Sequence, residues 1–148
     1  MSQSSSVVAT FWKESSGHCD CCGRESKSIW GDLSDAGDRR AVYFVHWTVG
    51  APEHHPNVDL IIGRWGEAAK PTDRVLVSLE YRPGPDGSSF MVISGEGRAA
   101  DDRSVCGRVL RREEVVGTPL AAEVFALVDA LWLTEPRIEE VRAFNNGA

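Results

Sequence analysis

The feature that most constrains this chain is a period of two. In "DRVLVSLEYRP", Val75, Val77, Leu79 and Tyr81 alternate with Arg74, Ser78, Glu80 and Arg82. Side chains two residues apart share one face of a strand, so such a run presents one apolar and one polar surface. Runs rich in β-branched and aromatic residues also fall near 28–34, 40–49, 58–65 and 89–94. The turn-forming stretches "DAGD" and "PGPDGS" lie between neighbouring runs. The five segments follow one another over short links, which predicts an antiparallel meander and not βαβ units. Residues 7–13, "VVATFWK", suit a helix or a strand equally.

The helical signal comes late. Thr118 suits an N-cap and Pro119 the first helical position. Leu120, Val124, Leu127, Val128 and Leu131 then share one face of a helix over 119–133. Pro136 ends that helix or opens the next, "PRIEEVRAF". Strands first and helices last define an α+β fold, with the C-terminal helix or helices packed on one face of a sheet of about five strands. A chain of 148 residues suits a single domain, 1–148, with its own core. Ser-rich residues 1–6 read as a flexible tail and 17–24 as a cysteine knuckle. Trp30, Trp47 and Trp65 sit in strand-like runs and are expected to join Trp132 of the helix in an aromatic core.

Charge narrows the partners. A formal charge of −6 without a sizeable basic cluster argues against a nucleic-acid or anionic-membrane surface. No segment has the 18 or more apolar residues of a membrane helix, and the N-terminus has no secretory pattern. A cytoplasmic, reducing location follows, where clustered cysteines bind metal or do thiol chemistry more often than they form structural disulfides. The tryptophans and an uncovered sheet edge point to a protein partner or a homodimer.

Chemistry concentrates in "HCDCCGRESK", residues 18–27. Cys19 and Cys22 have the C-x-x-C spacing that lets two sulfurs converge, and Gly23 lets the chain turn away behind them. Over five residues, "CDCCG" resembles one knuckle of a zinc ribbon. A tetrahedral site needs four donors. Cys106, also followed by glycine, is the expected third ligand, and Cys21 or one of His18, His46, His54 and His55 the fourth. Adjacent Cys21 and Cys22 are not expected to share an ion easily. The cofactor expectation is therefore a structural zinc on Cys19, Cys22, Cys106 and Cys21.

Two other readings stand beside it. In one, Cys19, Cys21 or Cys22 is a reactive thiol of a redox protein or enzyme, although no helix is expected just after the motif to stabilise a thiolate. In the other, His46 and Glu80 line a metal-free pocket on the polar face of the sheet. The "GEGRAA" run lacks the following helix and parallel strand that a dinucleotide site requires. The chain reads as a small binding or interaction protein with no motif-defined catalytic set.

Overall fold

The computed structural model describes residues 6–51, 57–67, 70–80, 89–96, 109–111, 113 and 119–141, the side chains of Glu80 and Leu110 excepted. Seven strands form one sheet in sequence order: β1 (Val7–His18), β2 (Glu25–Asp35), β3 (Asp38–Thr48), β4 (Asn57–Arg64), β5 (Thr72–Glu80), β6 (Ser89–Gly95) and the two-residue β7 (Val109–Leu110). Every pairing is antiparallel. The α+β meander is as the alternation predicts, with one correction: six long strands are present where five were expected. The additional one is β1. Its alternation is broken at a bulge, where Phe11 lies opposite Gly31 and Lys13 opposite Trp30, leaving Trp12 as the extra residue.

The helix α1 (Pro119–Thr134) covers one sheet face. All five residues of its expected stripe are buried, from Leu120 to Leu131. They meet Ile29, Leu33, Tyr43, Val45, Val58, Leu60, Ile62, Val75, Val77, Leu79, Phe90 and Val92 in one continuous core. Phe125, in the first half of the helix, packs edge-to-face on Phe90 of β6 with ring centroids 4.9 Å apart. At the other end, the Ala9 amide of β1 donates to Thr134 Oγ1 at 2.8 Å. The helix therefore spans the sheet from β6 to β1.

A buried polar anchor fixes its C-terminal end. The Tyr43 hydroxyl donates to Glu135 Oε2 at 2.6 Å, and Glu135 is 1% exposed. Glu135 Oε1 also accepts from the Arg137 amide at 2.9 Å and from Arg137 Nη1 at 3.3 Å. Gly31 makes room for this contact. A Cβ there would lie 2.3 Å from the Tyr43 hydroxyl oxygen and 2.4 Å from the Thr10 carbonyl oxygen.

The tryptophans divide differently from the expectation. Trp47 and Trp132 do join the core, while Trp65 is buried apart from it. Trp30 is half-buried on the opposite sheet face, 5.0 Å from Phe44 by ring centroid. The alternation of β2 explains this, because the buried positions on either side of Trp30 are Ile29 and Gly31. No helix among the described residues is long and apolar enough to cross a membrane.

Candidate metal centre at the β1–β2 turn

β1 and β2 form a long hairpin whose last pair is His18 with Glu25, so the turn is residues 19–24. The Cys19 amide donates to the Arg24 carbonyl at 2.8 Å, and the Gly23 amide to the Cys19 carbonyl at 2.7 Å. Gly23 sits at φ +71, a left-handed conformation that glycine adopts without steric cost. Closing the turn this way folds the "CDCC" segment back on itself.

The ligand sulfurs of Cys19, Cys21 and Cys22 all lie within 4.8 Å of one another. Cys21 and the adjacent Cys22 thus fall in one group with Cys19, where adjacent cysteines were not expected to share an ion easily. Cys19 is half-buried; Cys21 and Cys22 are exposed. Three sulfurs at this spacing are close enough to hold a metal ion. Among the described residues, no histidine or carboxylate joins the group. Of the other expected ligands, Cys106, His54 and His55 lie outside the described residues.

The thiols also perturb one another. Hydrogen bonds from the Cys21 thiol and amide pull Cys19 from 9 down to about 6 against the opposing effect of burial, with lesser help from Cys22. The same bond to Cys19 is the main reason that Cys21 is pushed up to about 11. The two Sγ atoms are 3.1 Å apart. Losing one proton from this pair is easy, and losing the second is hard, because the two charges would face each other.

Cys19 and Cys21 line a cleft of about 340 Å³ together with Ser26, His46 and Thr48. His46 was expected on the polar face of β3, and it lies there, half-buried between the buried residues Val45 and Trp47. Its Nδ1 is 2.7 Å from Ser28 Oγ, on the residue paired with it across β2 and β3. Its ring lies nearly parallel to that of Phe44, 6.4 Å away by centroid. Ser28 was not singled out in the sequence; the register of the two strands is the signal that would have found it. Glu80, the other expected pocket residue, pairs with Ser89 near the end of β5, and its side chain lies outside the described set.

A larger cleft, about 390 Å³, includes Arg39, Arg40, Arg64 and Trp65. Each arginine already faces a carboxylate: Arg39 faces Asp32 at 3.3 Å, Arg40 faces Asp35 and Asp38 at 3.8 and 3.6 Å, and Arg64 faces Asp73 at 3.9 Å. The Arg39 guanidinium also lies over the rings of Trp12 and Trp65. Such a surface is locally neutralised and has little to offer an anion. The thiol turn is the more chemically distinctive site.

Comparison with known proteins returns no relative: no family model matches the chain, and no curated protein or solved structure matches it.

Proposed function

We propose that this is a small binding protein of a reducing compartment that holds a zinc ion in the β1–β2 turn, through the thiolates of Cys19, Cys21 and Cys22. The observation that carries this reading is the convergence of three sulfurs within 4.8 Å on a short, hydrogen-bonded turn. Thiolates are soft donors that zinc takes at about 2.3 Å in tetrahedral geometry. The fourth position belongs to a further protein donor, for which Cys106 is the sequence's own candidate, or to solvent. The low pKa of Cys19 favours metal capture near neutral pH, because only the deprotonated thiol ligates.

The ion's role is local. β1 is already paired with β2 along its whole length, so no irregular segment needs pinning to the sheet. A metal there shapes the turn and the adjoining cleft. The test is metal analysis of protein purified under reducing conditions, with cobalt(II) as the spectroscopic stand-in. One zinc per chain, strong cobalt–thiolate charge transfer, and loss of both in a Cys19→Ser, Cys21→Ser double variant support the reading. Metal-free protein that gives no thiolate band with cobalt overturns it.

The proposal includes a homodimer. What supports it is the position of β1 at one edge of the sheet, with Val8 and Trp12 of that strand 49% and 44% exposed. Sedimentation at high micromolar concentration tests it, and a clean monomer rules it out.

A further inference from the structure

We infer that the same turn has a second activity: in its metal-free form, Cys19 and Cys21 act as a dithiol that exchanges with small-molecule disulfides and closes a Cys19–Cys21 disulfide. The consequence for the metal rests on the zinc reading above; the exchange itself does not.

The geometry selects this pair. The two Sγ atoms are 3.1 Å apart, against a covalent length of about 2.05 Å, so closure needs about one ångström of movement. Cys21 lies on the surface, and Cys19 borders an open cleft that admits a small disulfide. Of the other pairs, Cys21 with Cys22 would close a ring through a single peptide unit and distort its planar trans geometry, and Cys19 with Cys22 is the rival that the peptide map distinguishes. The turn lies beyond the last β1–β2 pair, so this movement disturbs no ladder hydrogen bond.

The chemistry balances with a disulfide RS–SR as oxidant. The Cys19 thiolate attacks one sulfur of RS–SR. A Cys19–SR bond forms, the RS–SR bond breaks and RS⁻ leaves. The Cys21 thiolate then attacks Cys19 Sγ. The Cys19–Cys21 bond forms, the Cys19–SR bond breaks and a second RS⁻ leaves. Two cysteines lose two electrons in total, RS–SR gains them, and the two cysteine protons end on the two RS⁻ products. Two of the three metal-binding sulfurs are consumed, which leaves Cys22 alone and releases the ion. The turn then both reduces a disulfide and yields its metal on oxidation.

The test uses the full chain. Metal-free, reduced protein is incubated with glutathione disulfide, its remaining thiols are alkylated, and it is digested with trypsin. Residues 14–24 form one tryptic peptide carrying all three turn cysteines, while Cys106 falls on the separate peptide 104–108. The expected product is peptide 14–24 with an internal Cys19–Cys21 disulfide and alkyl on Cys22. Cys22→Ser should still yield the Cys19–Cys21 disulfide. Cys21→Ser should halt at the Cys19 mixed disulfide, with no Cys19–Cys21 disulfide formed. A peptide that keeps three alkylatable thiols, or a disulfide mapped to another pair, overturns the exchange. In a parallel arm, zinc-loaded protein is oxidised in the presence of a zinc indicator. Release of one zinc per disulfide supports the coupling, and a disulfide formed with zinc retained overturns it. If the reduced protein takes up no zinc, the metal reading and the coupling fail together, and the peptide map still decides the exchange.

Discussion

The hydroxyl of Tyr43 and the carboxylate of Glu135, 92 residues apart in sequence, meet at 2.6 Å where the helix reaches the sheet. Replacing Tyr43 by Phe leaves the buried Glu135 with the Arg137 groups alone. The expected cost is about 1–3 kcal/mol, the range for a buried acceptor that loses a partner. Urea unfolding should show a lower midpoint with an unchanged slope, and a midpoint equal to wild type would show the bond to be dispensable.

The same contact sets an alkaline limit. Burial, followed by the hydrogen bond and the charge of Glu135, raises the Tyr43 pKa well above its usual 10. A raised folded-state pKa contributes stability that is fully present below the unfolded value. It is lost as pH climbs from about 10 toward the folded pKa, because the unfolded chain ionises first. Thermal unfolding of wild type should therefore worsen above pH 10 more steeply than that of Tyr43→Phe. Parallel curves for the two proteins would rule out the linkage.

Gly31 is the position where one methyl does the most harm. Its Cβ would meet the Tyr43 hydroxyl and the Thr10 backbone at 2.3 and 2.4 Å, and neither can move without breaking the helix anchor or the β1–β2 ladder. Gly31→Ala is expected to cost about 1–3 kcal/mol or more by overpacking. Its effect should shrink in a Tyr43→Val background, which removes both the hydroxyl oxygen and the ring carbon Cζ that would lie 2.4 Å away. Full additivity of the two substitutions would contradict the steric coupling.

In metal-free protein the thiols should titrate apart. Alkylation of Cys19 by iodoacetamide should rise through about pH 6 and level off by pH 8, and alkylation of Cys21 should still be rising near pH 11. Cys21→Ala removes the largest cause of the Cys19 shift, so the Cys19 midpoint should move up toward 9. Sequencing of the alkylated 14–24 peptide by fragment mass assigns each site. A common midpoint near 9 for Cys19 and Cys21 would refute the pairing.

Stripping metal with a chelator should act only locally. Amides of the turn, including those of Cys19 and Gly23, should exchange faster with solvent, while the protection of β2 to β5 stays unchanged. The core cluster contains no residue of the turn, so the far-ultraviolet circular dichroism should not move. Collapse of the sheet signal on chelation would show that the ion holds more than its hairpin.

The meander and its covering helix were legible because period two and period 3.6 each put apolar residues on one face, as in Val75, Val77 and Leu79 against Leu120 through Leu131. β1 was not legible, for two physical reasons. The bulge at Trp12 shifts the alternation by one residue, and residues 14–18 are exposed, so neither face carries an apolar row. The proximity of Cys21 to Cys22 was not legible because spacing alone does not fix the path of a turn. His46 was read on its face of the sheet from alternation. Its bond to Ser28 needed the strand register, which no single run of residues carries.

Because each strand pairs with its neighbours in sequence, the thiols depend on little of the chain for their arrangement. Residues 7–35 close the hairpin that gathers all three sulfurs, whereas the Ala9 amide of β1 finds its acceptor, Thr134 Oγ1, only when the last helix docks. Local pairing of this kind forms early in folding, and contacts between distant segments come late. The three sulfurs are thus gathered before the architecture is finished, while most of the sheet is still unmade.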